Sequence, residues 1–348
     1  MHKILFRVEA GEEVGLGHLQ RCLSLASALK ELGIESIFAA TGGRKTKERI
    51  EHSGFEVVLM SRIRSGSQAD LQFVSGVAKN HSCSAVVTDC YAINAAYQAK
   101  LRLAPSYVVA IDDLGAPPFT ADLIINGGVL GTSLPYHEAP KHSSCLLGAR
   151  YALLGEQYLN IPLKENGNNV DRILITMGGA DPEDFTSRLI IALDLLTEEF
   201  DLEIIVGPFN LHRQSIKETI CLSKRHINIH YSPASLYDLI LSTQMAISAA
   251  GQTLYELAAT GTPTIAIQTA GNQALNIAGF TEHGCTLQAV PSRQESMEEV
   301  VASQVRFLLA NPIKRNAMGL AGQQLVDGHG ATRAARAISQ LINNDAPD

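Results

Sequence analysis

Short apolar segments alternate with helical patterns along this chain of 348 residues. In the first half the apolar segments are residues 4–8, 36–40, 55–60, 85–88, 107–111 and 123–125. The series restarts in the second half with residues 172–177, 202–206, 227–231, 245–249 and 264–268. Segments of this length are typical of buried strands, and parallel strands need a crossover between them that is usually a helix. The pattern therefore predicts two doubly wound α/β domains.

The length of the chain and one polar segment predict where the domains divide. A single core rarely grows beyond about 250–300 residues, so two domains are expected. Residues 163–169 follow Pro162, lack apolar periodicity and have the composition of a linker. We therefore predict a first domain over residues 1–162 and a second over residues 170–330. The last segment, residues 331–348, contains a helical pattern that is expected to cross back to the first domain.

Composition indicates a globular protein without a nucleic-acid partner. Apolar residues make up 46% of the chain and charged residues 18%, and the formal net charge is -7. One basic cluster is predicted to be a solvated helix start, with contact to an anionic substrate or a membrane surface as the alternative. It consists of Arg44, Lys45, Lys47 and Arg49.

The cysteine, histidine and hydropathy patterns predict a reduced, cytoplasmic location and no metal. The six cysteines form no CxxC pair. No apolar stretch approaches the length of a membrane span, and the apolar segment at the N-terminus is too short for a signal peptide. The eleven histidines form no HxH or HExxH pattern, so neither structural zinc nor another cofactor is expected.

Two glycine-containing loops lie where anions bind in such folds. Gly15-Leu16-Gly17-His18 follows the first predicted strand and precedes a helical pattern. In the second half, Gly251 and Thr253 stand between a predicted strand and the next helical pattern. Glycine lets the backbone approach a ligand closely, and the free amides of a helix N-terminus attract phosphate or carboxylate. The two loops suggest a nucleotide-type ligand between the two domains.

The first loop is not a dinucleotide-binding fingerprint. Gln20 replaces the third glycine, and the second strand ends in residues 38–41 without a ribose-binding acid. Dehydrogenase chemistry is therefore disfavoured. His18 can instead act as a general acid or base, because a helix N-terminus favours the neutral imidazole. The alternative is a histidine that only caps the helix or packs at its start.

Carboxylates follow two strands of the first half. Asp89 ends one strand, and Asp112 and Asp113 end the next. Since the carboxyl ends of parallel strands share one sheet edge, these side chains could orient His18 or a water molecule. Aspartate that merely stabilises a turn is the alternative.

Polar residues also stand at predicted helix starts in the second half. Glu256 falls in the first turns of a helix, where it can chelate ribose hydroxyls or simply interact with the helix dipole. Asn272 and Gln273 can cap another helix or hydrogen-bond a sugar. Residues 181–184, Asp-Pro-Glu-Asp, predict a helix opening with a capping carboxylate and proline at the first helical position.

Taken together, six motifs resemble those of the UDP-sugar hydrolase of pseudaminic acid biosynthesis, over nearly the whole chain. The motifs are residues 15–18 (GLGH), 89–91 (DCY), 111–113 (IDD), 147–154 (LGARYALL), 177–181 (MGGAD) and 272–273 (NQ). That family is similar to the GT-B glycosyltransferases, especially the enzyme that makes lipid II. The resemblance implies two Rossmann-like domains facing a central cleft that binds a nucleotide sugar.

The resemblance also implies a reaction and a set of residues. UDP-2,4-diacetamido-2,4,6-trideoxy-β-L-altropyranose is hydrolysed to UDP and the free sugar, for pseudaminic or related nonulosonic acids of surface polysaccharide and flagellin glycosylation. Water is the acceptor and no metal or other cofactor takes part. His18 would activate the water, Tyr91 would lie near the reacting sugar, and Glu256 would bind the uridine ribose. The remaining substrate-binding positions would be Gly15, Gly17, Asp89, Ser248, Gly251, Thr253, Asn272 and Gln273.

The chain also departs from that family, and other functions stay open. Cys90 stands where relatives often have a histidine, and residues 248–251 contain fewer glycines. One alternative is a GT-B glycosyltransferase in which His18 deprotonates an acceptor hydroxyl. Another is a noncatalytic nucleotide-sugar-binding protein in which His18 is a helix cap. In each case the partner is a UDP-sugar, and we expect a monomer or weak oligomer without nucleic acid or stable membrane association.

Overall fold

The chain leaves its first α/β unit after Leu159 and returns to it at Gly328. A computed structural model describes residues 2–11, 16–102, 107–164, 167 and 169–343. The first unit comprises Met1–Leu159 and Gly328–Asp348, and the second comprises Asn160–Asp327. The first division falls just before the polar segment 163–169.

Up to Leu159, the described strands and helices are β1 (Lys3–Val8), α1 (Gly17–Lys30), β2 (Glu35–Ala40), α2 (Arg44–His52), β3 (Glu56–Leu59), α3 (Gln68–Asn80), β4 (Ala85–Asp89), α4 (Ala95–Leu101), β5 (Tyr107–Ile111), β6 (Leu123–Asn126) and β7 (Ser144–Leu147). They alternate as far as β5, and β6 and β7 then follow without an α-helix between them. Short 3-10 turns lie at Gly131–Ser133, Tyr136–Glu138, Ala149–Tyr151 and Glu156–Tyr158.

The same alternation resumes after the linker. The elements are β8 (Arg172–Thr176), α5 (Phe185–Leu193), β9 (Asp201–Val206), α6 (Arg213–Leu222), β10 (Ile227–Tyr231), α7 (Tyr237–Ser242), β11 (Met245–Ala249), α8 (Thr253–Ala259), β12 (Thr264–Ile267), α9 (Ala274–Glu282), β13 (Thr286–Gln288), α10 (Met297–Ala310), α11 (Pro312–Leu325) and α12 (Gly330–Asn343). A 3-10 turn at Gly271–Gln273 precedes α9.

Each unit is built on one parallel sheet. The described strands are ordered β3-β2-β1-β4-β5-β6-β7 in the first unit and β10-β9-β8-β11-β12-β13 in the second. In both sheets the order reverses beside the first strand, between β1 and β4 and between β8 and β11. Ligands of open α/β sheets bind outside the carboxyl ends of the strands at such a switch point. The loops after β1, β4, β8 and β11 are therefore where a site is expected.

An apolar stripe fixes α1 against the first sheet. Its buried residues recur every three or four positions, as an amphipathic helix requires, and include Leu19, Cys22, Ala26 and Leu29. They belong to one core cluster with residues of the sheet. Burying one leucine side chain stabilises a fold by about 1.5–3 kcal/mol. The first turn of α1 is thus held firmly at the carboxyl end of β1.

Helix α12 completes the same core from the other end of the chain. Its buried residues share the core cluster of α1 and are Ala331, Ala334, Ala335, Ile338 and Ile342. A Cβ at Gly330 would overlap the backbone of Ala152, so only glycine allows this close approach.

The predicted strands are present, with ends shifted by a residue or so, but two further strands were not predicted. Both are short and pair on one side only: β7 pairs with β6, and β13 pairs with β12. β13 has three residues, too few to show a period, whereas β7 has four, as many as β3, which was predicted.

The predicted helix opening at residues 181–184 is wrong. Asp181 and Asp184 adopt left-handed backbone, with φ of 48° and 50°, so this segment is a turn and α5 begins at Phe185. Aspartate tolerates this conformation better than most residues. The carboxylate of Asp181 nevertheless accepts hydrogen bonds from the amides of Phe185 (2.8 Å) and Thr186 (3.0 Å), and so caps the helix from the preceding turn.

The basic cluster forms the solvated start of α2, as predicted. Arg44 pairs with Glu48 at 2.6 Å and Lys47 with Glu51 at 3.6 Å along its exposed face. All six cysteines are free thiols. Within the described residues, no helix is both long and apolar enough to cross a membrane.

Candidate active site

His18 lies at the switch point of the first sheet. It is the second residue of α1, which follows β1, and Asp89 is the last residue of the neighbouring strand β4. The imidazole is nearly buried, with 6% of the residue exposed. The sheet topology therefore brings a helix-start histidine and a strand-end carboxylate together, although 71 positions (89 − 18) separate them in the sequence.

A short contact defines the tautomer of His18. Its Nδ1 lies 2.6 Å from Oδ1 of Asp89. A carboxylate can only accept, so Nδ1 donates its proton to Asp89 and the neutral ring carries its lone pair on Nε2. Nε2 makes no hydrogen bond to any residue that the structure describes. An oriented histidine with an open Nε2 is the arrangement of a general base.

Arg21 joins this pair to a second carboxylate. Its Nε and Nη2 lie 2.6 and 2.5 Å from the two oxygens of Asp89. Its Nη1 donates to Oδ2 of Asp113 at 2.9 Å, and the hydroxyl of Tyr91 donates to the same oxygen at 3.0 Å. The rings of Tyr91 and His18 meet edge to face, with centroids 4.7 Å apart. The five side chains thus form a closed cluster.

Charge pairing keeps the buried carboxylate ionised. Burial by itself would raise the pKa of Asp89, but the charge of Arg21 and the hydrogen bonds from Arg21 and His18 outweigh that effect and hold the pKa well below its usual range. Burial would lower the pKa of Arg21, and its two carboxylate partners outweigh it in turn, so that this pKa is well above its ordinary value. Both groups are therefore charged at neutral pH.

Cys90 borders the cluster but is not a nucleophile. Burial, reinforced by a hydrogen bond to Glu9, raises the pKa of the thiol to about 12. Its Sγ donates to Oε2 of Glu9 at 3.1 Å, and Ser65 donates to the other oxygen at 2.7 Å. The thiol is therefore protonated at neutral pH and acts as a hydrogen-bond donor.

The residues predicted to bind the nucleotide follow β11, at the corresponding edge of the second sheet. Gly251 follows β11, Thr253 is the first residue of α8, and Glu256 lies in the first turn of that helix. Ser248 is fully buried within β11 and its hydroxyl donates to the carbonyl of Ala249 at 2.9 Å. The predicted binding role of Ser248 therefore does not match the position of its side chain, because the hydroxyl is engaged inside the strand.

Asn272 and Gln273 occupy different environments. Asn272 is exposed in the 3-10 turn before α9. Gln273 accepts from the backbone amide of Thr269 at 2.9 Å, and its Nε2 donates to the hydroxyl of Thr269 at 3.0 Å. The side chain of Gln273, which is the N-cap residue of α9, does not cap that helix. Gln273 thus holds its own loop, which the sequence did not indicate.

The remaining predicted site residues, and one that was missed, can now be located. Gly15 lies outside the described residues, whereas Gly17 is the first residue of α1. Arg21 was not predicted as a site residue. The signal was its spacing: positions 18 and 21 lie on one face of a helix, so a histidine predicted at the site brings Arg21 with it. Among the described residues, no group of three or more acidic, histidine or cysteine side chains is placed to hold a metal ion.

Solved structures establish the fold. MurG of Acinetobacter baumannii matches 98% of this chain with a TM-score of 0.69 at 15% identity and is covered completely. S. aureus MnaA, solved with UDP, matches the whole chain with a TM-score of 0.67 at 13% identity and is covered over 99% of its length. HepE of Anabaena, solved with UDP-glucose, matches 99% of the chain with a TM-score of 0.62 at 16% identity and is fully covered. The chain therefore has the GT-B glycosyltransferase fold.

The sequence relatives are 21–26% identical to this chain, and they match over different shares of their own length. Spore coat polysaccharide biosynthesis protein SpsG of Bacillus subtilis is 21% identical over 99% of this chain and the whole of SpsG. A Helicobacter pylori protein named pseudaminic acid cytidylyltransferase and UDP-2,4-diacetamido-2,4,6-trideoxy-β-L-altropyranose hydrolase is 26% identical over 78% of the chain. An uncharacterized protein of Methanocaldococcus jannaschii is 22% identical over 76% of the chain. The chain spans 45% of the Helicobacter protein and 55% of the Methanocaldococcus protein. No family model matches the chain.

Proposed function

We propose that this protein hydrolyses a UDP-linked sugar, with His18 as the base that activates water. The observation that carries this proposal is the pair formed by Nδ1 of His18 and Asp89 at 2.6 Å, since it leaves the lone pair of Nε2 open at the carboxyl edge of the first sheet. General bases of this kind contribute about 10²–10⁴-fold to a rate.

In the proposed reaction, Nε2 of His18 takes a proton from water while the water oxygen attacks the sugar–UDP linkage, at the anomeric carbon or at phosphorus. The bond between the sugar and UDP breaks, and when the anomeric carbon is attacked UDP leaves with the bonding electrons. Asp89 stabilises the imidazolium that forms, because its carboxylate accepts from Nδ1 throughout. UDP is a good leaving group, so the protein needs mainly to position water and to stabilise charge. Tyr91, whose ring touches that of His18, would then border the reacting sugar.

The second unit is proposed to bind the nucleotide. Gly251 and Thr253 stand at the start of α8, where free amides favour a diphosphate, and Glu256 in the first turn would accept from the ribose hydroxyls. Asn272, exposed in its turn, would hydrogen-bond the sugar or the diphosphate. Gln273 can join it only by exchanging its bonds to Thr269.

The sugar is proposed to be a diacetamido-trideoxyhexose for a nonulosonic acid. The motifs around His18, Asp89 and Asn272 resemble the corresponding hydrolase family, and the Helicobacter relative carries that activity in its name. The name of SpsG, which aligns over its whole length, supports the broader class of surface polysaccharide biosynthesis. We place the reaction in the cytoplasm because all six cysteines are free thiols.

A sugar transfer reaction is the second candidate. It is favoured by the fold, which the chain shares with MurG at a TM-score of 0.69. In that case Nε2 of His18 would take the proton of an acceptor hydroxyl rather than of water. The two reactions differ in one measurable respect, because transfer releases UDP only when an acceptor is present.

A single assay separates these candidates. The purified protein is incubated with UDP-2,4-diacetamido-2,4,6-trideoxy-β-L-altropyranose in ¹⁸O-water, with a chelator and without an acceptor. Mass spectrometry then shows which product carries the ¹⁸O label. Label in the free sugar supports hydrolysis by attack at the anomeric carbon, and label in UDP reveals attack at phosphorus. UDP release only after an acceptor is added establishes the transferase instead. Binding of the UDP-sugar without any turnover leaves a noncatalytic binding protein.

A further inference from the structure

Arg21 is the centre of the cluster around His18. Its guanidinium is largely enclosed, with 14% of the side chain exposed, and it contacts two carboxylates through three different nitrogens. One carboxylate, Asp89, accepts from His18, and the other, Asp113, accepts from Tyr91. Only arginine offers a planar set of donors that can bind two carboxylates at fixed angles.

We propose that Arg21 is a positioning residue that holds the imidazole of His18 and the phenol of Tyr91 as one rigid pair, through Asp89 and Asp113. The proposal rests on the proposed function for its catalytic consequence, but the positioning itself does not depend on which reaction occurs. Arg21 does not exchange a proton and does not touch the reacting atoms. It keeps the Asp89 oxygen in place for Nδ1 and so maintains the lone pair on Nε2.

Competition at Asp89 explains why an arginine is needed. Oδ1 of Asp89 accepts from both Nη2 of Arg21 and Nδ1 of His18, and Cys22 lies 3.4 Å from Oδ2. An enclosed carboxylate without a permanent charge partner would protonate more readily. It would then present a donor to Nδ1 and the imidazole could turn or change tautomer. The permanent charge of Arg21 prevents this.

The test compares Arg21→Met and Arg21→Lys with the wild type by two readouts. In the first, ¹⁵N NMR of histidine-labelled protein reports which ring nitrogen carries the proton, and the His18→Asn variant identifies the signal. Wild type should show the proton on Nδ1, and Arg21→Met should show a mixture of tautomers. Arg21→Lys keeps the positive charge but not the planar set of donors. The fraction of Nδ1-protonated His18 in this variant should therefore lie between the wild-type and Arg21→Met values.

The second readout is the pH profile of UDP release. Arg21→Met should lower kcat by about 10²-fold with little change in KM, as expected for a small misplacement of a catalytic group. The acid limb of its kcat/KM profile should move to higher pH, because Asp89 then protonates earlier. Arg21→Lys should recover about tenfold of the lost kcat.

A matched control separates positioning from stability. Arg7 forms a fully buried ion pair with Asp70 at 2.8 Å in the same unit. Arg7→Met should therefore lower stability as much as Arg21→Met while leaving the His18 tautomer unchanged. If Arg21→Met does not fold, Asp113→Asn replaces it, and a roughly tenfold fall in kcat is expected from the loss of the shared acceptor of Arg21 and Tyr91.

A wild-type tautomer and an unmoved acid limb in Arg21→Met would overturn the proposal and leave Arg21 a structural residue. An unchanged kcat in Asp113→Asn would overturn the link to Tyr91. If wild type releases no UDP from the tested sugar, the proposed hydrolysis fails, while the ¹⁵N spectra still decide whether Arg21 positions His18.

Discussion

The helices that follow the first strand of each unit begin in different ways. Helix α1 starts at Gly17, no described side chain caps it, and its second residue is His18. Helix α5 starts at Phe185, and the carboxylate of Asp181 already accepts from its first two amides. An anion approaching α5 would meet an occupied end that carries a negative charge. Glycines precede both helices, so the glycine pattern alone does not tell which helix end can receive a ligand.

The two units also accommodate buried charge differently. In the first unit Asp89 is enclosed and paired with Arg21. In the second unit the amine of Lys164 donates to neutral oxygens, at 2.6 Å to the carbonyl of Thr243 and 3.1 Å to the hydroxyl of Thr262. The second unit also pairs a buried carboxylate with a histidine, Glu203 with His230 at 2.7 Å, but these residues lie on β9 and β10 and not between β8 and β11. In the first unit the pair lies at the switch point beside the start of α1. We therefore expect the catalytic step to depend on the first unit and nucleotide affinity on the second.

The largest effect should follow from removing the imidazole of the first unit. His18→Asn is expected to lower the rate of UDP release by about 10²–10⁴-fold, because it removes Nε2, the proposed acceptor of the proton of water. UDP affinity, measured by calorimetry, should be unchanged. His52→Asn, on the exposed face of α2, serves as the control. A His18→Asn protein with the wild-type rate would remove the catalytic role from the first unit.

A smaller effect is expected for nucleotide affinity in the second unit. Glu256→Ala should weaken UDP binding about 10–100-fold, since a charge-assisted hydrogen bond to a ribose hydroxyl contributes about 1.5–3 kcal/mol. The change in kcat at saturating substrate should be small. Titration calorimetry with UDP makes the comparison, with the exposed Glu282→Ala as control. Equal affinity in Glu256→Ala and wild type would contradict the division of labour between the units.

The occupied end of α5 gives a prediction about stability. Asp181→Ala should lower the free energy of unfolding by about 2 kcal/mol, because two first-turn amides and the hydroxyl of Thr186 lose their acceptor. Asp181→Asn, which keeps an acceptor oxygen and tolerates left-handed backbone, should lose less. Urea unfolding monitored by circular dichroism measures both variants. If Asp181→Ala unfolds at the wild-type urea concentration, the contrast between α1 and α5 has no energetic basis.

The least pronounced effect concerns the buried amine of the second unit. Burial lowers the pKa of Lys164 to about 8, below its ordinary value. Below about pH 8 the amine of Lys164 is protonated in both the folded and the unfolded chain. The free-energy cost of burying this charge then lowers the stability of the folded protein in full. Above that pH the folded protein binds fewer protons than the unfolded chain, so stability should rise by about 1–2 kcal/mol up to roughly pH 10.

Urea unfolding at several pH values between 7 and 10 tests the effect of Lys164. Lys164→Met should remove this rise and be more stable than wild type only at the lower pH. Lys314→Met on α11, in the same unit, provides the comparison. A rise of the same size in Lys164→Met would mean that another group causes it.

Much of the fold followed from local patterns, and less of the site did. The alternation of apolar segments predicted the strands from β1 to β12 apart from β7. Asp89 was one of three strand-end aspartates that the sequence suggested could orient His18 or a water molecule, with a turn-stabilising role as the alternative. The contact between Asp89 and His18 depends on the reversal of strand order that sets β4 beside β1.

The parts that were missed depend on tertiary contacts. The spacing of Arg21 places it on the helix face of His18, but only the folded structure shows that it contacts two carboxylates. Gln273 has the same amide as Asn272, yet its bonds to Thr269 make it part of the loop. Residues 181–184 have the composition of a helix start, but the left-handed backbone of Asp181 and Asp184 makes this segment a turn that precedes α5. From that turn the carboxylate of Asp181 caps the helix.

Helix α12 has a consequence for how the protein is made. The ribosome synthesises all of Asn160–Asp327 before it reaches the segment that fills the core of the first unit. The second unit is continuous and can fold as soon as it emerges, whereas the first must wait with the sheet surface beneath Ala334 and Ile338 uncovered. The catalytic histidine proposed here, on the helix that packs against α12, is therefore synthesised before the second unit but acquires its finished surroundings only after that unit has been made.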